Sequence, residues 1–311
     1  MRQLPRYFAC LSLLFLTAAN AQTPDPNMSE RGRRYLNPVF SETVRQGDIV
    51  YGQNINETTG ATEQLTLRVF QPKDDATVRR PLLILTPGGG FVRTDDAWMD
   101  DFGHELAQAG YVVAINRYRL SASIATPELF FDALFKAFSD QKAVIRYFVK
   151  DAAEQNRFRI DPENIFIGGH SAGAITSLYV AYLDQSDAMV EPMTRALAHH
   201  GGLAGNSGNE KIDYTLRGVI NLSGLVGDPG MLDSTEPPLL SLHGDADTVV
   251  PVGLGDRIFG SVPIHAYADI IGLDNRLYVI AGALHNDTAD PLVCEECIPL
   301  IKRFMFNRLA R

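Results

Sequence analysis

Unbroken apolar runs alternate with helical stripes along this chain. Residues 81–86 (Pro-Leu-Leu-Ile-Leu-Thr) and 111–116 carry almost no polar side chain, as strands covered on both faces should. Residues 164–168, 217–222, 238–243 and 276–280 predict four more strands. Residues 48–52 and 64–70 predict two others, the second alternating through Leu65, Leu67 and Val69. Between them, helices are expected over 101–110, 127–156, 172–183, 192–199 and 291–309. The long 127–156 stretch places Leu134, Phe138, Val144, Ile145, Phe148 and Val149 at helical spacing. Strand and helix in alternation imply an α/β fold with a mostly parallel sheet and helices on both faces. Residues 186–216 interrupt the rhythm with one short helix and a glycine-rich run. A connection of that length without a strand is uncommon, and a cap-like insertion over the site is expected there.

The first residues do not belong to this pattern. Arg2 and Arg6 precede the apolar run from Phe8 to Ala19, and Ala19-Asn20-Ala21 offers a small-x-small cleavage site. The run is too short to span a bilayer, so residues 1–21 are expected to be a signal peptide and the protein periplasmic or secreted. Polar residues 22–47 read as an N-terminal arm, leaving a single domain over 48–311. Loss of Arg2 and Arg6 takes the formal charge from −9 to −11. Such acidity disfavours nucleic acid and anionic membrane surfaces as partners. Oligomeric state is not legible at this level.

The chemistry gathers in four places. Gly169-His170-Ser171-Ala172-Gly173 matches G-x-S-x-G and sits between the strand ending at Gly168 and the helix from Ala172. A sharp strand-to-helix turn lifts such a serine above the sheet edge and needs small neighbours. Gly88-Gly89-Gly90-Phe91 follows the 81–86 strand, and bare amides there can hold an oxyanion. Gly89 and Gly90 are the expected donors, with Ala172 as a third. Among seven histidines, His285 stands in a loop directly after a strand, where a mobile general base belongs. His104 falls mid-helix, His265 lies in a helix-like segment, and His170 is expected to pack beside the serine. His199 and His200 end a helix, where imidazole suits the negative dipole end, and no metal role is expected of them. The acid comes from His243-Gly244-Asp245-Ala246-Asp247. Asp247 is favoured over Asp245, which better suits a turn-forming side chain bonded to its own loop. Phe91, Val92 and Trp98 suit pocket walls and core equally. Asp95 and Asp96 read as a helix N-terminus or as the rim of an entrance.

In the order Ser171, Asp247, His285, these motifs resemble the α/β-hydrolase superfamily, and within it the exported bacterial carboxylesterases related to the hormone-sensitive lipase group. The resemblance spans about residues 48–308. It implies an α/β-hydrolase fold and hydrolysis of a small or polymer-linked ester through a serine acyl-enzyme, with no metal or organic cofactor. In that group a histidine usually precedes the three glycines, whereas Pro87 stands here, so the loop needs another anchor. A serine peptidase on the same fold and a silent binding module are the rival readings. Cys294 and Cys297, spaced C-x-x-C, are open to three readings: a disulfide, half a zinc site or a redox pair. A disulfide is expected, because no second cysteine pair or suitably spaced histidine accompanies them in an exported chain.

Overall fold

Strand order decides where a site can form in this molecule. The computed structural model describes residues 34–94, 96, 98–255 and 258–309. The signal peptide expected at 1–21, the first part of the arm and Asp95 lie outside the described residues. Eight strands form one sheet: β1 (Thr43–Asn56), β2 (Ala61–Pro72), β3 (Arg80–Thr86), β4 (Val112–Asn116), β5 (Ile160–His170), β6 (Gly218–Leu222), β7 (Leu239–Gly244) and β8 (Asn275–Ile280). They lie in the order β1-β2-β4-β3-β5-β6-β7-β8. β1 and β2 are antiparallel, β2 is antiparallel to β4, and every later pairing is parallel. The helices are α1 (Met99–Gln108), α2 (Pro127–Glu154), α3 (Ala172–Tyr182), α4 (Glu191–His199), α5 (Ser261–Ile271) and α6 (Cys297–Phe306). β3 precedes β4 in sequence yet pairs with β5, so the chain reverses direction across the sheet beside β3. Crevices at the carboxyl ends of strands at such a reversal are where open α/β sheets bind ligands.

The strand period of two explains the two cores. Leu82, Ile84, Val112 and Ala114 face one side and pack with α2, α3, α4 and α5 through Leu134, Phe138, Leu178, Met193 and Ile264. Leu83, Leu85, Val113 and Ile115 face the other and meet α1 and α6 through Phe102, Leu106, Ile298 and Ile301. α2 starts where Thr126 caps it, its hydroxyl accepting from the Leu129 N–H at 3.3 Å, with Pro127 at the first helical position. No helix among the described residues is long and apolar enough to cross a membrane.

Three expected boundaries move. The arm expected to run to residue 47 ends earlier, because β1 already starts at Thr43. β1 is an edge strand whose middle turns Ile49 and Tyr51 into the core, while its outer stretches are mostly exposed, so there pairing with β2 rather than side-chain pattern defines it. The last helix begins at Cys297, not at residue 291. The Cys294–Cys297 disulfide is formed, and the Cys297 N–H donates to the Cys294 carbonyl at 3.1 Å in a turn that precedes the helix. α5, seen in sequence only as a helix-like stretch around His265, is a full helix ending at Gly272 with φ 78°.

The 186–216 segment contains α4 and a 3-10 turn over Gly202–Ala204, and no strand. It runs along α2: His200 bonds Asp132, Asn206 and Ser207 bond Ser139, and Arg146 donates to the carbonyls of Ala204 and Ile212. Asn206 also takes the Asn54 amide of β1. Among the described residues, none of its hydrogen bonds reaches Ser171, Asp247 or His285.

Candidate active site

Ser171 is held in a backbone conformation that side chains avoid, φ 52° and ψ −119°. The turn is forced by what surrounds it. The carbonyl of Thr86, at the end of β3, leaves no room on either flanking glycine. A Cβ on Gly169 would stand 2.3 Å from that oxygen, and one on Gly173 1.9 Å from it. The Ser171 N–H donates to the Leu222 carbonyl at 2.9 Å, which ties the turn to β6. Its hydroxyl is thus raised at the carboxyl end of β5, beside the start of α3.

His285 Nε2 lies 2.8 Å from Ser171 Oγ, and His285 Nδ1 lies 2.7 Å from Asp247 Oδ2. The second oxygen of Asp247 accepts from the N–H groups of Val249 and Val250 at 2.8 and 2.9 Å. Those two bonds orient the carboxylate and turn Oδ2 to His285, with His243 Nε2 also 3.3 Å from that oxygen. The sequence left Asp245 as the alternative acid. Its side chain is turned elsewhere, accepting from the Gly282 N–H at 2.6 Å, so it braces the loop that carries His285 rather than its own.

Gly89, with φ 113°, and Gly90, with φ 61°, bend the chain after β3 in conformations that favour glycine. Among the described residues, no carbonyl takes the N–H of Gly89, Gly90 or Ala172. The loop lacks the histidine that usually anchors it, and other groups substitute. The Val92 and Arg93 N–H groups both donate to the Gly89 carbonyl, at 3.3 and 3.2 Å, and the Ser121 N–H donates to the Phe91 carbonyl at 2.9 Å. Tyr118 donates its hydroxyl to the Gly88 carbonyl at 3.4 Å. Behind the loop, Gln141 of α2 donates to Thr86 and Ser177, locking β3 to both helices.

His170, expected to pack beside the serine, and His243, given no role from sequence, support this arrangement. His170 is buried against Trp98, its ring 5.3 Å from the indole, and its Nε2 is 2.9 Å from the carbonyl of His285. Burial pushes its pKa down to about 4, so it is neutral and donates from Nε2. It therefore grips the backbone of the very residue whose side chain meets Ser171. His243, fully buried, lies 2.9 Å from the Val250 carbonyl and 2.8 Å from Ser261 Oγ, closing the Asp247 loop; burial lowers its pKa too. The signal for both was their place inside the motifs, beside Ser171 and before Gly244.

Of the side chains left open between wall and core, Phe91 is core, packed edge-on to Tyr118 and Phe130, while Val92 is exposed. Asp96 is bound by Arg68 at 2.5 Å, and Asp100 in the first turn of α1 shares that arginine, so the acidic cluster is an ion-paired helix start. A cavity of about 780 Å³ lies elsewhere, at the amino ends of β6 and β7. Lys142, Arg146, Tyr214, Glu236 and Arg308 line it, and burial pulls Lys142 down to about 8 and Glu236 up to about 7. Volume alone does not mark a reactive site; Ser171, His285 and Asp247 converge at the opposite, carboxyl end of the strands.

The BD-FAE family model matches residues 67–226, just over half of the chain and including both the glycine loop and Ser171. The chain belongs to the BD-FAE family. Solved structures similar to this BD-FAE protein include esterases. The apo form of Thermogutta terrifontis esterase 2 is 20% identical with TM-score 0.61, over 85% of this chain and 96% of that one. The same enzyme phosphorylated by paraoxon is 19% identical with TM-score 0.62, over 85% and 94%. A truncated carbohydrate esterase from gut microbiota is 19% identical with TM-score 0.59, over 87% and 97%. Among curated proteins none matches this BD-FAE chain. Identity this low bears on the fold, and with the sheet order above it makes the architecture an α/β-hydrolase fold.

Proposed function

We propose that this protein is a serine carboxylic-ester hydrolase that works through an acyl-enzyme. The observation that carries the reading is the unbroken hydrogen-bonded chain from Ser171 Oγ through His285 to Asp247. In this mechanism Ser171 attacks the ester carbonyl while His285 Nε2 takes its proton, and Asp247 steadies the imidazolium that results. The oxyanion is met by the N–H groups of Gly89, Gly90 and Ala172, each such donor contributing roughly 3–4 kcal/mol to the transition state. His285 then returns the proton to the departing alcohol. A water, deprotonated by the same nitrogen, attacks the acyl-enzyme and releases the acid.

The substrate is a small or polymer-linked ester. Similar folds include the carbohydrate esterase and forms of the Thermogutta enzyme bound to propionate and butyrate, which supports a short acyl group, including one borne on a carbohydrate. Export completes the reading: it rests on the leader over residues 1–21, and the Cys294–Cys297 disulfide suits an oxidising compartment. Mature protein recovered from the producing cell begins at Gln22; an uncleaved Met1 terminus would disprove export. Ser171→Ala abolishes hydrolysis of p-nitrophenyl acetate and labelling by a fluorophosphonate, with an unchanged circular dichroism spectrum. Retained turnover in that folded variant rules out Ser171 as the nucleophile.

A further inference from the structure

Away from Ser171, the end of α4 brings two imidazoles against the turn between β1 and β2. His199 Nε2 and His200 Nδ1 stand 3.7 and 3.9 Å from one oxygen of Glu57, and candidate ligand atoms of the three residues all lie within 4.8 Å of one another. His200 is buried, while His199 and Glu57 are open to solvent. The remaining nitrogen of His200, Nε2, is 2.8 Å from Asp132 Oδ1 on α2. A carboxylate can only accept, so Nε2 carries a hydrogen and Nδ1 is the ring nitrogen turned toward Glu57. That nitrogen, His199 Nε2 and a Glu57 oxygen make a set of three candidate ligand atoms. A histidine whose far nitrogen is bonded to a carboxylate is also the usual form of a metal-ligating imidazole.

We propose that Glu57, His199 and His200 form a binding site for a divalent ion of the zinc class, with Asp132 orienting His200 and water completing the coordination. Two imidazoles and one carboxylate suit zinc, nickel or copper rather than calcium or magnesium, which take oxygen ligands. Tetrahedral zinc with bonds of about 2.0–2.1 Å sets its ligand atoms about 3.3 Å apart. The two exposed side chains reach that spacing from the present one by small rotations, while His200 stays fixed.

Charge permits it. Lys136 Nζ lies 3.4 Å from Glu57 Oε2 and Arg119 Nη1 3.7 Å from Oε1, and both compete for the carboxylate. Asp132, 3.6 Å from Lys136, and Asp140, 2.8 Å from Arg119, offset them, so with Glu57 the group keeps an excess negative charge. A bound ion would pin the 186–216 segment to the β1–β2 turn. Lys136 donates onward to Ser121 Oγ at 3.1 Å, and the Ser121 N–H holds the Phe91 carbonyl, so the clamp is continuous with the glycine loop.

The test is a calorimetric titration of chelator-stripped, full-length mature protein with zinc, paired with the visible spectrum on adding cobalt(II). One ion binds per chain, the melting temperature rises and falls back with EDTA, and cobalt gives ligand-field bands. His199→Ala, an exposed change that leaves the metal-free melting temperature unaltered, weakens zinc binding at least tenfold and removes those bands. Asp132→Asn weakens it roughly 10- to 100-fold. No binding by the parent protein overturns the site, and so does equal affinity in His199→Ala and Glu57→Gln. Zinc that survives His199→Ala and blocks fluorophosphonate labelling sits at His285 instead, which overturns it as well.

Discussion

Replacing Asp247 by Asn tests the hydrogen-bond logic at one atom. Asp247 Oδ1 is held by the N–H groups of Val249 and Val250, and Oδ2 faces His285 Nδ1 at 2.7 Å. In Asp247→Asn the amide oxygen stays with the two backbone donors, because turning it away would set the amide hydrogens against them. The –NH2 group then faces His285 and donates to Nδ1. That forces the ring hydrogen onto Nε2, so the imidazole can no longer take the proton of Ser171. In serine proteases a wrong tautomer of this kind costs about 10⁴-fold in kcat, or about 5 kcal/mol of transition-state stabilisation. Asp245→Asn is the control. Its amide oxygen still accepts from Gly282, so the loop loses less than about 1 kcal/mol and kcat changes by less than about fivefold. The assay is steady-state hydrolysis of p-nitrophenyl acetate at pH 7.5, with melting temperatures to show that both variants fold. An Asp247→Asn enzyme with more than about a tenth of parental kcat, or an Asp245→Asn enzyme equally impaired, refutes the assignment of the acid.

Two further outcomes follow from the packing. Gly173→Ala drives a Cβ to 1.9 Å from the Thr86 carbonyl, a backbone atom with nowhere to go, so stability falls by at least about 1–3 kcal/mol; an unchanged melting temperature would contradict the close approach of β3 to the Ser171 turn. His170, held near 4 by burial against an unfolded value of about 6.5, resists protonation in the native state. Because its folded pKa lies below its unfolded one, the unfolded chain binds the extra proton, and stability is lost as pH falls from about 6.5 to about 4. The effect amounts to about 3 kcal/mol, with His243 and His265 shifted in the same direction. Urea unfolding at several pH values shows a flatter acid limb in His170→Gln, and an identical slope would show that His170 is not buried neutral.

The legible parts of this protein were those whose physics is local. Residues 81–86 and 111–116 read as covered strands, since they are short runs in which almost every side chain is apolar, and both are central in the sheet. The turn at Ser171 was legible because only small residues fit between a strand and a helix so abruptly joined. β1 was read only over 48–52, where Ile49 and Tyr51 alternate into the core; its outer stretches are edge strand, hydrogen-bonded from one side and mostly exposed, and left no period to read. The choice between Asp245 and Asp247 rested on turn chemistry two residues apart, and the distinguishing bonds come from Gly282 in one case and from Val249, Val250 and His285 in the other.

Composition, hydrophobic period and motif order were sufficient for the α/β architecture and for nominating Ser171, His285, the glycine loop and the Cys294–Cys297 pair, because each follows from neighbours along the chain. The grip of His170 on the His285 backbone, the brace from Asp245, and the gathering of Glu57 with His199 and His200 join residues that sequence keeps far apart. Only the folding of the sheet brings them within reach. Contacts of that kind depend on how strand ends and loops meet in space, and no local rule encodes a meeting between distant segments.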